Sequence, residues 1–572
     1  MTDLNARNNS KRIVPILIFN AVLVVLAMLR AGLCITTTDE VFNIGQSFRT
    51  IQGNLFLVEN WDYFQTGDSF LTPFLYVFYR ITGSTEGIVL FSRIVFIVLQ
   101  VLLSVLMYKI LSMFFERIGA FFAAAIYSTA VSFLLFYMWY DNWEIYFRLI
   151  GLFLVFYVIA GEKTDNKNSY ILVFIAGIVH AFMVFAYPTM VAVFIYVLVL
   201  LFAYKRKQSA RANTFRAVAY ISGAALVFAV FVVYVLINGV GNLFIFNNVM
   251  SEAGLSSTGR SGFFAFASTI SKIKALIVEN VIHYMFALLL FAVDIVILYV
   301  FRKSKKCVLL FCTIMIAGCI VLLLMTVFRS DSLNTLMTYL SIYTIPLYIL
   351  IRKKSERTGK YKDLIMVLSV SSLIAGIVYS MTALDGAIKF SAGARAGAIV
   401  TLVMLFEVIK MSDLKIGNKT AFGIIASLMM ILNVFALYSF SFEGLKPYDC
   451  NTMIKSGIYK GIIDIPVSAK RYETVEKDLA SVITEGDKTI TCGPYAMEFY
   501  LMSDLKPNAA NLWGVNNTAL LFAYYEKYYG EPDIIVLHDS AWDETSPEFI
   551  NFVDEKYNLV KYTDGFLIYH HN

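Results

Sequence analysis

The sequence predicts a polytopic α-helical membrane protein of about 13 transmembrane helices with a small C-terminal α/β domain. Of its 572 residues, 59% are hydrophobic and 15% are charged, whereas soluble domains carry roughly 25% charged residues. The apolar residues form runs of about 18 to 25, the length that a helix needs to cross a bilayer. A wholly soluble enzyme is therefore excluded. The Lys and Arg clusters lie in short loops between apolar runs, so no nucleic-acid partner is expected.

Thirteen spans are predicted from the apolar runs. They begin near residues 13, 86, 118, 146, 169, 189, 215, 275, 307, 334, 362, 395 and 420. Basic loops alternate with nearly neutral ones, and the basic set is Arg7–Arg12, Lys205–Arg211, Arg302–Lys306, Arg352–Lys360 and Lys410–Lys419. The positive-inside rule places this set in the cytoplasm. We therefore expect a multi-pass protein of a bacterial plasma membrane, with a cytoplasmic N-terminus and an extracytoplasmic C-terminus. The first run lacks a small-x-small site for signal-peptide cleavage.

Two domains are predicted, a transmembrane domain over residues 1–444 and an extracytoplasmic domain over residues 445–572. Past Leu445 the composition becomes that of ordinary soluble protein. Residues 488–492 and 533–539 are typical of buried strands, and residues 494–503 and 549–557 are typical of helices. Residues 559–571 predict a hairpin with Asp564-Gly565 as its turn. Strand, helix, strand, helix and hairpin together indicate a small α/β domain.

Two carboxylates follow the first span directly. After Asp39 and Glu40, Val41, Ile44 and Phe48 recur at helical spacing, which predicts a short amphipathic helix along the outer membrane surface. Thr38 would be its N-cap, with both carboxylates in the first turn. Acidic residues there can simply complement the helix dipole, so this observation alone leaves a structural role open.

A second acidic pair lies in the next predicted outer loop. Asp141 and Glu144 stand three residues apart among aromatic residues that include Tyr140. Trp and Tyr gather at membrane interfaces as anchors, but carboxylates at membrane depth are costly and mark polar cavities or reaction centres. We expect the two acidic pairs to converge over one pocket.

Three cations accompany these acids. Arg93 lies two turns inside an apolar span, where it must find either a carboxylate partner or an anion such as phosphate. Lys389 and Arg395 lie beside a later span, at its predicted outer end. These three side chains are the candidate contacts for an anionic substrate.

At this point the chain resembles the C-type (GT-C) glycosyltransferase superfamily, and within it the family 39-like protein O-mannosyltransferases and lipid A aminoarabinose transferases. The motifs that carry the resemblance are an acidic pair after span one, a surface helix, Thr72-Pro73, Gly83-x-x-Glu86, Arg93 and Asp141. They cover roughly residues 13–160, and the resemblance is weak from 190 to 440. Thr72 stands where the family usually has His.

The resemblance implies transfer of a sugar from a polyprenyl-phosphate carrier to a glycan, lipid or protein hydroxyl at the outer face. Asp39 would be the general base and Glu40 its support. Asp141, Glu144 and Tyr140 would contact sugar or acceptor, and Arg93 would contact the carrier phosphate. Lys389 and Arg395 would be further substrate-binding residues beside a span that could face the cavity. The carrier and the surrounding bilayer are the implied partners.

Two other functions remain open. A transporter or flippase of lipid-linked saccharide would show duplicated halves and broken spans, and a polysaccharide polymerase or ligase would favour a large Arg-rich outer loop. Neither feature is evident. No metal site of zinc-type spacing occurs and no cofactor is expected, although outer carboxylates leave a divalent ion open. Whether Cys450 and Cys492 pair is also open, because spacing alone does not decide it.

Overall fold

The computed structural model describes residues 2–35, 38–62, 65–129, 131, 136–161, 167–204, 210–239, 281–300, 305–328, 339–352, 358–382, 386–411, 417–439, 446–512, 518–540 and 546–572. The side chains of Thr38 and Lys389 are outside the described part, so the roles predicted for them are not addressed by the structure. Most of the predicted basic loops also fall between these ranges.

The first part of the chain is helical. Its α-helices are α1 (Thr2–Leu29), α2 (Thr38–Phe48), α3 (Gln65–Asp68), α4 (Thr72–Thr82), α5 (Ile88–Phe114), α6 (Arg117–Thr129), α7 (Tyr140–Ala160), α8 (Lys167–Ala186), α9 (Val191–Ala203) and α10 (Ala210–Ile237). Later come α11 (Val281–Val300), α12 (Lys305–Phe328), α13 (Thr344–Ile351), α14 (Thr358–Leu364), α15 (Val370–Thr382), α16 (Gly386–Lys410) and α17 (Asn418–Ser439). A π-helical turn at Ile365–Ser369 joins α14 to α15.

This bundle is that of a polytopic helical membrane protein. In the described part, eight helices are long and apolar enough to cross a bilayer, and Pro188–Ala203, Leu310–Val321 and Tyr339–Ile351 are shorter apolar helices. A helix covers or begins within two residues of eleven of the thirteen predicted span starts. The starts predicted near residues 275 and 334 lie outside the described residues, and the number of spans that cross the membrane stays a prediction. Phe390–Lys410 is entirely buried, whereas Ala210–Ile237 is largely exposed. The bundle therefore has a central helix, α16, and a lipid-type outer surface.

Helix α7 starts earlier than predicted. It begins at Tyr140 rather than near residue 146, so Asp141 and Glu144 lie in the helix and not in a loop before it. Glu144 and Arg148 are one turn apart and form an ion pair. This pairing offsets part of the cost of placing charge in an apolar helix, which is why the helix extends through these residues.

The C-terminal region carries a mixed sheet. Its elements are β1 (Thr452–Met453), β2 (Ile463–Asp464), α18 (Pro466–Val482), β3 (Thr489–Cys492), α19 (Phe499–Met502), β4 (Lys506–Pro507), α20 (Thr518–Lys527), β5 (Ile534–His538), α21 (Pro547–Lys556), β6 (Tyr557–Thr563) and β7 (Phe566–His571). The larger sheet has the order β4-β3-β5-β7-β6, with β3 parallel to β4 and β5, and β7 antiparallel to β5 and β6.

The predicted α/β domain is confirmed, with one helix shorter than expected. Asp564 and Gly565 have φ of 46° and 86°, the left-handed pair that a two-residue hairpin turn needs. The helix predicted over 494–503 forms only at Phe499–Met502, because Tyr495 adopts φ of 62° and breaks the turn before it.

The C-terminal domain is bonded to residues 33–89, which join α1 to α5. The backbone N–H of Cys34 donates to Ile463 O at 2.9 Å, and that of Trp61 donates to Ala510 O at 2.8 Å. Helix α2 is consequently buried even on its polar side, where Gln46 is 3% exposed. The predicted helix is present and the domain covers part of it, while its position along a membrane surface stays a prediction.

Candidate functional site

Asp39 and Glu40 are neighbours in the first turn of α2 but have different surroundings. Glu40 is fully buried, whereas Asp39 keeps partial exposure. Consecutive helical residues point about 100° apart, which separates the two carboxylates. Asn43, one turn after Asp39, donates through Nδ2 to the Asp39 carbonyl at 2.6 Å. Of the predicted catalytic pair, Asp39 is therefore the more exposed.

The guanidinium of Arg93 pairs with the carboxylate of Glu40. Its Nε and Nη2 donate to the two Glu40 oxygens at 2.7 and 2.6 Å. Its Nη1 donates to the carbonyls of Ala31 and Cys34 at 2.8 and 2.9 Å. Between the two alternatives that the sequence left open, this geometry favours the carboxylate partner. In this geometry the pair fixes the start of α2, and the roles predicted for Arg93 and Glu40 toward a substrate stay predictions.

One face of α7 carries Asp141, Glu144 and Arg148. Arg148 Nε donates to Glu144 Oε1 at 2.7 Å, and its Nη1 donates to the Gly393 carbonyl on α16 at 2.9 Å. The Tyr379 hydroxyl on α15 donates to Glu144 Oε2 at 2.5 Å. Glu144, predicted as a substrate contact, is thus held inside the bundle, where it joins α7 to α15.

Asp68 is a further buried carboxylate near Asp141. It was not among the site residues predicted from the sequence. Asp68 ends α3 and is 1% exposed. Burial raises the pKa of Asp68 well above its usual range, and the charges of Asp62 and Asp141 raise it further, while the backbone N–H of Tyr140 opposes them. Buried carboxylates so close together repel one another, so this group favours binding of a proton or a cation.

A glycine permits this approach of α3 to α7. A Cβ on Gly67 would lie 2.5 Å from the Tyr140 Cβ and 3.0 Å from the Ala186 carbonyl oxygen. Only a residue without a side chain fits so tight a contact. The Gly67-Asp68 pair just before the Thr72-Pro73 segment was the sequence signal for this site.

Helix α2 reaches the same carboxylates through Gln46. Gln46 lies two turns after Asp39 on one face of the helix, and its Nε2 donates to Asp62 Oδ2 at 2.9 Å. The α2 face that carries Asp39 thus borders the group of Asp62, Asp68 and Asp141. We call these three residues the carboxylate cluster.

Arg395 lies deeper, on the central helix α16. It is 5% exposed, and its neighbours are the hydroxyls of Tyr127, Tyr146 and Tyr379 and the cation of Arg148. Among the described residues, no carboxylate lies within ion-pair distance of Arg395. It was predicted beside the mouth of a span and instead sits inside one.

The side chain of Tyr140 belongs to an aromatic group, while its backbone N–H interacts with Asp68 of the carboxylate cluster. Its ring centroid is 5.2 Å from that of Trp139 and 6.2 Å from that of Tyr187. These contacts fix the start of α7, from which Asp141 projects. The substrate contacts expected of Tyr140 and Asp141 remain predictions.

A set of three side chains close enough to hold a metal ion occurs at Cys34, Cys450 and Asp464 in the described part of the chain. The members of the carboxylate cluster do not form such a set there.

Comparisons with known proteins give distant structural likenesses. No family model matches the chain, and no curated protein matches it. An oligosaccharyltransferase of Archaeoglobus fulgidus in complex with zinc and sulfate is similar at TM-score 0.45 and 11% identity, over 94% of this chain and 71% of that one. ArnT from Cupriavidus metallidurans bound to undecaprenyl phosphate is similar at TM-score 0.39 and 10% identity, over 96% and 97%.

Both proteins belong to the superfamily that the sequence resembles. At these scores and identities, the likeness carries no conclusion about the activity of this chain. What the chain itself supplies is a helical bundle, a buried carboxylate cluster beside a partly exposed Asp39, and Arg395, which has no carboxylate within ion-pair distance among the described residues.

Proposed function

We propose that the chain is a membrane glycosyltransferase that moves a sugar from a polyprenyl-phosphate carrier to an acceptor hydroxyl at the outer face of the membrane. The observation that carries the proposal is Arg395, a guanidinium buried in a spanning helix. A cation in an apolar span costs several kcal/mol unless an anion accompanies it. With no carboxylate beside it in the described residues, Arg395 supports binding of an anion from outside the chain.

The carrier phosphate has the chemistry that such a site requires. A guanidinium presents parallel N–H donors that match two phosphate oxygens. The hydroxyls of Tyr127 and Tyr146, next to Arg395, supply further hydrogen-bond donors. Several helices have exposed apolar surfaces, and α10 is the most exposed of the candidate spans. An isoprenoid tail in the bilayer would pack against such a surface.

Asp39 remains the proposed base. In the reaction, the acceptor oxygen forms a bond to the anomeric carbon of the sugar. The bond from that carbon to the carrier phosphate breaks with its electron pair, and the hydroxyl proton passes to Asp39. A general base of this kind contributes roughly 10²–10⁴ in rate. Asp39 is partly exposed, as a base that takes a proton from an acceptor must be, whereas Glu40 is paired with Arg93.

Cationic stabilisation of the departing phosphate completes the mechanism. Negative charge develops on the carrier phosphate as its bond to the sugar breaks, and the Arg395 guanidinium would stabilise it. Donors fixed before the reaction stabilise such charge without reorganisation. The carboxylate cluster would hold sugar hydroxyls, which donate readily to buried carboxylates.

The test is mass spectrometry of surface glycans, glycolipids and glycoproteins from cells with and without this gene. A transferase predicts an acceptor that lacks one sugar and a carrier-linked sugar that accumulates. Wild-type protein should restore both, and the Arg395→Gln variant should restore neither. An unchanged profile would contradict the proposal. Loss of a whole glycan, with its lipid-linked precursor retained, would favour a flippase or a polymerase.

A further inference from the structure

Two cysteines that are distant in sequence meet where the C-terminal domain joins the end of the first helix. Cys34 follows the helical turn Arg30–Gly32 after α1, and Cys450 precedes β1. Their Sγ atoms lie 2.9 Å apart although 416 positions separate them. This is closer than the ordinary van der Waals contact of two sulfur atoms, so the fold brings the two thiols within bonding reach.

The backbone holds Cys34 in this orientation. Cys34 has φ of 60°, a left-handed conformation that is uncommon for residues other than glycine. Its N–H donates to Ile463 O at 2.9 Å, and its carbonyl accepts from Arg93 Nη1 at 2.9 Å. A strained conformation persists only where its surroundings fix it. Here the two hydrogen bonds fix it with the side chain against Cys450.

We propose that Cys34 and Cys450 form a disulfide that fastens the C-terminal domain to the end of the first spanning helix. The two thiols lose two protons and two electrons as the S–S bond forms. The electrons pass by thiol–disulfide exchange to the disulfide of an extracytoplasmic thiol oxidoreductase, which is reduced to a dithiol. This requires the extracytoplasmic location that the charged loops predict, and it is independent of the proposed function.

A metal site is the alternative chemistry for the same atoms. Asp464 Oδ1 lies 3.6 Å from Cys450 Sγ, and the three side chains form a possible ligand set. Two thiolates on one tetrahedral zinc, at about 2.3 Å each, would be about 3.8 Å apart. The observed separation is shorter and favours the S–S bond. The cations Arg30 and Arg93, which lie beside Cys34, also disfavour the binding of a metal cation at this site.

The cross-link would act on the candidate site through its position. Cys34 lies just before α2, which begins at Thr38 and carries Asp39 and Glu40. A disulfide that closes so long a loop restricts the unfolded chain strongly. It would also keep the domain over α2 when the hydrogen bonds between them open.

The experiment blocks free thiols in acid-quenched membranes with N-ethylmaleimide, without reductant, and maps the digested protein by mass spectrometry. We expect a linked peptide pair that contains Cys34 and Cys450, lighter by two hydrogens than the two free-thiol peptides and absent after reduction. In the variants Cys34→Ser and Cys450→Ser, the remaining partner should be blocked instead. Cys319→Ala, in the buried part of α12, is the matched control and should keep the linked pair.

Two results would overturn the proposal. One is wild-type protein in which both thiols are fully blocked without reductant. The other is stoichiometric zinc in the purified protein, measured by mass spectrometry of metals, that is lost in Cys34→Ser. A Ser481→Cys variant, placed on the exposed surface of α18, tests the location separately through an impermeant maleimide on intact cells. Absence of that label would also overturn the cross-link.

Discussion

Glu40 and Arg93 form a buried ion pair in which both carboxylate oxygens accept from one guanidinium, at 2.7 and 2.6 Å. The side chains are 0% and 1% exposed. The pair joins the first turn of α2 to the first part of α5. Because Arg93 also donates to the carbonyls that follow α1, one side chain positions three segments around the candidate site.

Removing one partner of this pair should destabilise the protein. Arg93→Met leaves Glu40 buried without its cation, which typically costs about 3–5 kcal/mol. Arg93→Lys keeps the charge but cannot reproduce the paired donors, so it should lose less. Thermal unfolding of the purified protein in nanodiscs measures both. If Arg93→Lys unfolds like wild type and only its binding of carrier is lost, Arg93 contacts phosphate after all.

Gly67→Ala should separate α3 from α7. The added Cβ would approach that of Tyr140 to 2.5 Å, and overpacking of this kind costs about 1–3 kcal/mol. We expect a lower unfolding temperature and reduced transfer, since Asp68 moves away from Asp141. Gly32→Ala is the matched control, because a Cβ there meets nothing within 4 Å. Equal effects of the two substitutions would contradict the close contact.

Asp68 predicts a pH dependence of stability. Its pKa is raised in the folded protein by burial first and by Asp62 second. The folded state therefore holds a proton that the unfolded chain has released, so the free energy of unfolding falls as pH rises from about 4, the ordinary value for Asp, through the folded pKa. Asp68→Asn removes this dependence, and its stability relative to wild type should increase with pH.

Unfolding temperatures from pH 4 upward measure this effect. The control is Asp504→Asn, a carboxylate on the exposed surface. Curves for wild type and Asp68→Asn that stay parallel across the pH range would show that Asp68 is not buried among other acids.

Arg395 should control the affinity for the carrier. Arg395→Gln removes the cation while keeping a polar side chain, and Arg395→Lys keeps a point charge without the paired donors. Undecaprenyl phosphate is the probe, measured by the rise in unfolding temperature that it causes. We expect a loss of about tenfold or more in affinity for Gln and a smaller loss for Lys, in line with charge-assisted hydrogen bonds worth about 1.5–3 kcal/mol.

Lys410→Gln is the matched control for that experiment. Lys410 ends the same helix, is exposed and pairs with Glu116 at 3.0 Å. Its removal should leave carrier affinity unchanged. Undiminished binding by Arg395→Gln would remove the basis for the proposed phosphate site.

Local patterns made much of the fold predictable. The helical spacing of Val41, Ile44 and Phe48 indicated α2, and Asp564-Gly565 indicated the terminal hairpin. These signals lie within a few residues of one another and depend on backbone preferences. The Glu144–Arg148 pair, four positions apart, depends on the same kind of local spacing. It shows that α7 begins before its predicted start.

Long-range relationships were not predictable in this way. The partner of Arg93 lies 53 positions away, and that of Cys34 lies 416 positions away. Asp68 becomes a buried acid only when α3 packs on α7. The C-terminal domain in turn docks over α2. That docking buries α2 on both faces, and the amphipathic pattern of the helix does not predict it.

The most direct test of the central claim is the transfer rate of Asp39→Asn. This change keeps the size of the side chain and the start of α2 but removes the ability to accept a proton. The measurement is the rate at which the missing sugar returns when the variant is induced in cells that lack the gene, per molecule of folded protein. We expect a fall of about 10²–10⁴-fold with near-normal stability, whereas Glu40→Gln should lose mainly stability. Transfer by Asp39→Asn at close to the wild-type rate would show that Asp39 is not the general base.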